Sequence, residues 1–194
     1  MSDVCCDIDV AVKAVAGDCD LEILSGLKDL RITTLCQLSS VVVDAEPDVV
    51  VSDITMATIS SVVQKFYKVE THEGSLMHEF DNTANEESGN KNFKNTIAGE
   101  VKLKSAAVFN ALNKYLGKEL VVLGKENGTD GKWRIIGLGG GLKVTQVQGS
   151  TGLKKSENSN TKITITGDTG KRWLYVWDTD ASTTDALVNG ITAS

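Results

Sequence analysis

The stretch Lys132–Thr166, KWRIIGLGGGLKVTQVQGSTGLKKSENSNTKITIT, decides the fold class of this chain. Short runs rich in Val, Ile, Thr and Trp are separated by a glycine cluster at 137–141 and by a long polar segment. That is the pattern of strand, turn, strand, loop, strand. The segment holds no catalytic constellation, and its composition points to a β module that presents surfaces.

The same texture extends outward. Upstream, Glu119–Lys125 (ELVVLGK) and Lys132–Leu138 (KWRIIGL) flank ENGTDG, whose Asn-Gly and Asp-Gly pairs suit a tight hairpin turn. Phe93–Leu103 alternates, with Ile97, Gly99, Val101 and Leu103 on one face. Between them, Ser105 is placed to cap a helix over residues 105–116. Val108, Phe109, Leu112, Tyr115 and Leu116 form its apolar stripe, and Gly117 is its stop. Further strands are expected at Leu30–Leu35, Val41–Val43, Val49–Val51, Ile54–Val63, Phe66–Glu70, Leu76–Phe80, Leu142–Val147, Thr161–Thr166 and Arg172–Trp177. In Phe66–Glu70 the alternation pairs Phe66 with Lys68 and Tyr67 with Val69. In Leu76–Phe80 it places Leu76, His78 and Phe80 on one side. The expected fold is mainly β, a β-sandwich or rolled barrel with one flanking α-helix.

The segment 81–92, DNTANEESGNKN, is polar except for Ala84 and Gly89, offers nothing from which a core could be built, and is expected to be a long loop. Residues 1–29 show weak periodicity, and 178–194 are small and polar. The chain therefore divides into an N-terminal arm (1–29), a β-rich domain (30–177) and a C-terminal arm (178–194).

At 194 residues the chain suits one domain with extensions and can bury a core without covalent staples. The formal net charge of -6 lacks the basic footprint of a nucleic-acid binder, although a non-adhesive wall would suit a conduit. No apolar run reaches the ~18 residues of a membrane span. The acidic start, MSDVCCDIDV, lacks the features of a secretory signal, so the chain is expected to be cytosolic where it is made. The four cysteines, Cys5, Cys6, Cys19 and Cys36, form no C-x-x-C pair. They are read as reduced thiols, partly buried, with an N-terminal disulfide as the alternative.

Candidate chemistry is thin. Gly137–Gly141 does not fit G-x-G-x-x-G, because Leu142 takes the final position, and it joins strand to strand with no helix to receive a phosphate. His72 and His78 have no ligand partners at metal spacing and read as surface or interface histidines. Glu86-Glu87 lacks a calcium-loop pattern. Trp133, Trp173 and Trp177 read as interface or core aromatics, with a sugar platform as the rival. No cofactor, metal or enzymatic activity is expected.

The order of several segments resembles tail-tube-like structural proteins of tailed bacteriophages, of the type found among viruses of Bacteroidetes. These segments are LKDLRITTL (27–35), KFYKVE (65–70), AAVFNALNKYLGKELVVLGKENG (106–128) and WRIIGLGGGLKVTQVQGSTGLKKSENSNTKITITGD (133–168). The likeness runs over residues 19–177. It implies a ring-forming, hexameric virion subunit that stacks into a DNA conduit in the tail and is assembled in the host cytoplasm. Its partners would be copies of itself and other tail or connector proteins, with DNA as cargo read without sequence recognition. Under this resemblance, Asp81, Asn82, Asn85, Glu86, Glu87, Asn90 and Lys91 become candidate assembly residues. A head–tail joining ring, a tail terminator and a carbohydrate-binding β-sandwich of the virion are the alternatives. The strand RWLYVW and the tail beyond it depart from the pattern of simpler tubes.

Overall fold

The computed structural model describes residues 26–44, 50–72, 74–84, 91–101, 106–127, 132–150, 160–169, 174–176 and 181–193. In chain order the elements are β1 (Leu27–Thr34), a 3-10 turn (Leu35–Gln37), β2 (Leu38–Val43), β3 (Val50–Met56), β4 (Thr58–Ile59), β5 (Val62–Val63), β6 (Tyr67–Lys68), β7 (Met77–Ala84) and β8 (Lys91–Val101). They continue with α1 (Ala106–Asn113), β9 (Glu119–Glu126), β10 (Trp133–Ile136), β11 (Leu142–Ser150), β12 (Asn160–Thr169), β13 (Leu174–Val176) and α2 (Ala181–Gly190).

The protein is mainly β, as its sequence predicts. β9 organises the fold because its Leu-Val-Val-Leu run is apolar on both faces, as in a strand covered from both sides. Leu120 and Val122 enter one core, while Val121 and Leu123 enter a second core behind it. One edge of β9 pairs with β1 from Leu27↔Glu126 to Thr34↔Leu120. The other edge pairs first with β10 and then with the start of β11.

This shared edge depends on the glycine cluster. Ile136 lies opposite Val122 and Leu142 opposite Leu120, so the residues between them must loop out of the ladder. Gly137 and Gly141 take φ of +99° and +72°, where a side chain is strained, and Gly141 N–H donates to the Gly137 carbonyl at 3.0 Å. A Cβ on Gly137 would sit 2.7 Å from the Leu120 carbonyl oxygen. The expected tight turn is thus a corner that lets the chain leave β9 and turn toward β12.

From that corner the sheet rolls through β11, β12, β8 and β7. Isolated bridges Thr71↔Val101 and Leu27↔Leu76 lace β8 and the start of β7 back toward β1. The rolled wall encloses Leu30, Ile32, Ile97, Leu120, Val122, Leu142, Ile163 and Ile165, and Leu112 of α1 joins this core. Outside the β1–β9–β10 wall, β13, β3 and β2 extend the sheet. There Val51, Phe66, Trp133, Ile135, Val176 and Val188 form the second core.

Several expectations change. The flanking helix is present as α1, with Leu112 buried and Tyr115 partly buried against the core, but Leu116 is exposed. Ser105 lies outside the described residues, as do the side chains of Val108 and Phe109. The tail 178–194 is no arm over its described part. Residues 181–190 form α2, which buries Thr184 and Val188 and packs Leu187 and Ile191 on the second core. The strand assigned from Leu30 begins at Leu27, so the first arm ends sooner, and 1–25 lie outside the described residues. In 66–70, Phe66 and Val69 are buried whereas Tyr67 is exposed. The two apolar residues belong to different cores, which a single alternation could not express.

Candidate assembly surface

Among the described residues the main path of the sheet ends at β2 and β7, and the short β6 forms a further edge beyond β1. β2 reads Leu-Ser-Ser-Val-Val-Val and pairs only with β3, leaving its other edge without a strand among the described residues. It contains no charge and no proline, and Val42 and Val43 are 48% and 39% exposed. Natural edge strands are usually blunted by Lys, Pro or a bulge near the exposed edge, because open N–H and C=O groups template pairing with another chain. Register breaks interrupt β2 between Leu38 and Ser40 and between Val42 and Val43, but no charge guards it.

At the other end, β7 pairs with β8 from Met77↔Ala98 to Ala84↔Lys91. This corrects the long loop expected at 81–92. Asp81 and Asn82 belong to β7 and Lys91 to β8, while Asn85, Glu86, Glu87 and Asn90 lie outside the described residues. The ladder there is made by backbone groups (Asp81↔Lys94, Asn82↔Phe93) and needs no apolar alternation to exist. Met77 and Phe80 are exposed on this edge strand.

A third feature is β4–β5, where the sequence predicts only extended chain. It is a separate two-stranded hairpin with Thr58↔Val63 and Ile59↔Val62 as partners. Ser60 and Ser61 take φ of 51° and 66°, the doubly left-handed backbone of a two-residue hairpin turn. Ile59, Val62 and Val63 are 45%, 61% and 58% exposed. The hairpin is held at its base. Ala57 N–H donates to the Gln37 carbonyl, Gln64 N–H donates to the Ala57 carbonyl, and Gln37 Nε2 donates to Gln64 Oε1 at 2.7 Å. Gln37 Oε1 in turn accepts from Thr34 N and from the Thr34 and Thr33 hydroxyls.

A groove of about 360 Å³ opens between β6 and α1. Ile32, Val69, Val101 and Leu112 line it with Tyr67 and Tyr115, and Lys68 and Glu70 also border it. Burial, and to a lesser degree the neighbouring Tyr67, push the Tyr115 phenol above its usual pKa, so it stays a neutral donor at physiological pH.

Of the three tryptophans only Trp133 is described, and it is core. Its indole Nε1–H donates to Asp185 Oδ1 at 2.6 Å, and the Arg31 guanidinium lies 4.5 Å from its ring centroid. Trp173 and Trp177 lie outside the described residues. Around Trp133 a polar clamp ties α2 to the sheet. Lys125 Nζ meets the Asp185 carboxylate at 2.6 and 2.7 Å. Burial alone would raise the Asp185 pKa, but the hydrogen bonds from Lys125 and Trp133, with the charges of Lys125 and Lys28, hold it below the usual range. At the far end of α2, Arg31 Nη1 donates to the Val188 carbonyl and Thr192 Oγ1, and Nη2 donates to Asn189 Oδ1 and Asp29 Oδ2. A buried cation thus sits where a helix presents its free carbonyls and the negative end of its dipole.

His78 is half-buried on β7 and shares a 3.1 Å hydrogen bond with the buried Asn95, which reaches Thr169 and the Phe93 carbonyl. Burial lowers its pKa from 6.5 to about 4, against the raising effect of Asn95, with a smaller lowering effect from Arg134. Cys36, expected to be partly buried, is an exposed free thiol, whereas Cys5, Cys6 and Cys19 lie outside the described residues. Among the described residues, no group of three or more His, Cys, Asp or Glu is placed to hold a metal, and no helix is long and apolar enough to cross a membrane.

Comparison with known proteins found no matching family model, no matching curated protein and no matching solved structure.

Proposed function

We propose that the chain is a virion structural protein, a tail-tube subunit whose rings stack into a conduit for DNA. The observation that carries this reading is β2, an uncharged strand that ends the sheet among the described residues and, though interrupted by two register breaks, carries no guarding Lys or Pro. Such an edge is a liability in a monomer and an asset in a subunit that completes its sheet with a neighbour. Among the described residues β7 supplies a second open end on the same sheet, so one subunit offers two different edges. Contacts between unlike patches build rings or filaments, not closed pairs. The order of segments that resembles tail-tube-like proteins supports the same assignment, and the acidic balance suits a wall that does not grip DNA.

A joining ring or terminator would use the same edges but stop after one layer. Against a carbohydrate-binding role stands the burial of Trp133 against Arg31 and Asp185, which leaves its ring no open face.

The test is negative-stain electron microscopy of the purified protein across a concentration series, with Val42→Lys beside the unaltered chain. Stacked rings or tubes that vanish in Val42→Lys support the proposal, and single rings at every concentration favour the joining ring. A monodisperse monomer throughout would sink both.

A further inference from the structure

The chain enters the described structure beside an edge strand. Leu27 N–H donates to the Leu76 carbonyl at 3.1 Å, and the two residues form an isolated antiparallel bridge just ahead of β7. Both side chains are buried in the barrel core. Beyond that bridge β7 runs from Met77 to Ala84, with β8 along one edge and no strand along the other among the described residues. Phe80 is 47% exposed there, and its ring centroid lies 5.7 Å from that of His78.

Antiparallel strands pair by count, so one bridge fixes which residues meet on either side of it. Counting back from Leu27↔Leu76 sets Ser25 opposite His78, Leu24 opposite Glu79 and Ile23 opposite Phe80. Directly opposite residues share a face, so Ile23 falls on the face of Leu27, Leu76 and Phe80. The sequence there suits a strand, because Leu21 and Ile23 alternate with Asp20 and Glu22. Gly26 supplies a bend. It takes φ of +98°, a Cβ on it would meet the Leu76 carbonyl oxygen at 2.6 Å, and its own carbonyl accepts from Asn127 N–H just past β9. The chain thus turns where it lies between the end of β9 and the start of β7.

We infer that residues 23–25 pair with the open edge of β7 in the same chain, setting Ile23 over Phe80 and closing the barrel wall between β1 and β7. The occupant is the chain's own N-terminal segment because the tether is short. Only Ser25 and Gly26 separate Leu24 from the bonded Leu27, which holds the segment at this edge at high effective concentration. An exposed ring on a bare edge is a liability, and this short strand covers it. Charge sets where the pairing stops. The next pair would set Glu22 against Asp81, two carboxylates face to face, which destabilises a ladder. Asp81–Ala84 is left as the part of this edge open to a neighbour. The inference concerns the single chain and holds whether or not copies assemble.

Disulfide trapping in dilute full-length protein tests it. Leu27 and Leu76 are a hydrogen-bonded pair, so Leu24 and Glu79 fall on a non-hydrogen-bonded one. Its Cα atoms lie ~4.5 Å apart, inside the ~4.4–6.8 Å that a disulfide spans. With all four native cysteines changed to Ser, Leu24→Cys with Glu79→Cys should oxidise to an intrachain disulfide. It should do so about tenfold or more faster than Leu24→Cys with Asp81→Cys, with Val42→Cys on β2 or with Thr145→Cys on β11. The rate should not depend on protein concentration. Adding Ile23→Asp should remove the excess, because it sets a carboxylate on Phe80. Equal rates for all four partners, or an excess that survives Ile23→Asp, overturn the inference. Faster closure with Asp81→Cys overturns the register, and faster closure with Val42→Cys overturns the choice of edge. A disulfide that forms mainly between chains assigns the segment to a second copy and overturns it as well. Ring or tube formation is read separately by electron microscopy, so failure here leaves that proposal standing.

Discussion

Replacing Arg31 with Met should loosen α2 from the sheet and cost about 3–5 kcal/mol, the usual penalty for breaking a buried ionic network by removing one partner. Met keeps much of the aliphatic stem beside Trp133, so the loss reports the guanidinium. That group donates to four acceptors: the Val188 carbonyl, Thr192 Oγ1, Asn189 Oδ1 and Asp29 Oδ2. Hydrogen bonds to charged groups contribute about 1.5–3 kcal/mol each, but these four share one cation and are not additive. The Nε–H has no hydrogen-bond partner among the described residues, which offsets part of the gain. Placing the charge at the C-terminal end of a helix adds up to about 2 kcal/mol in buried geometries. For a chain of this size the expected loss lowers Tm by roughly 10 °C. Urea titration of Arg31→Met and Arg31→Lys measures it, with Lys intermediate because it keeps the charge and loses the fork. Hydrogen exchange at residues 188–192 should accelerate in both variants. A loss below about 1 kcal/mol, or unchanged exchange there, would refute the clamp as the device that holds the helix.

Leu112→Ala should destabilise by about 2–5 kcal/mol in urea if α1 packs on the rolled sheet, and a near-neutral result would mean that helix contributes little to the core. Gly137→Ala should cost at least about 2 kcal/mol, because φ and the Leu120 carbonyl both oppose a Cβ; Gly74→Ala, with left-handed φ but open space, should cost about 1 kcal/mol. His78 is neutral in the fold down to about pH 4, whereas its unfolded value is 6.5. The unfolded chain therefore takes up the proton first, and stability falls as pH drops from about 6.5 to 4, by about 3 kcal/mol in total at ~1.4 kcal/mol per pH unit. His78→Gln should flatten that part of the urea midpoint against pH, and an unchanged slope would remove His78 as its source.

Much of the barrel was legible because its strands alternate. Ile163 and Ile165 recur at every second position, as do Ile97, Gly99 and Val101, and point to one core. The glycine cluster announced a break in the strand, but not that β10 and β11 would share one edge of β9, since register is a property of two segments. Outside the barrel the periodicity is weaker. α2 buries Thr184 and Val188 at i, i+4 and packs Ile191 beyond them, a helical spacing hidden in a tail of small residues. The β7–β8 extension is polar along 81–83 and 91–92 with only Ala84 between, so nothing in its composition separates a ladder from a loop. Arg31 sits inside the strand LRITT as an ordinary polar position, and only the return of the C-terminal helix makes it a cap. The hairpin Thr58–Val63 lay inside a stretch of uninterrupted β propensity, where its turn uses Ser-Ser in place of the Asn-Gly that would have marked it.

Charge and edges act on different length scales, and that separates a sheet-edge interface from an ion-paired one. With a net charge of -6, copies repel through solution over a Debye length of about 10 Å at 0.1 M salt, which shrinks to about 3 Å at 1 M. In the proposed assembly, edge pairing along the uncharged β2 would act only on contact and would not be screened. Salt should therefore remove the obstacle and leave the attraction. The concentration at which light scattering first rises should fall as salt is raised from about 0.05 M to about 0.5 M, by the same screening argument. An interface built from cross-subunit ion pairs behaves in the opposite way, because added salt weakens it. If scattering begins later at high salt, the apolar edges are not what joins the copies, and β2 must be covered by something other than a neighbour.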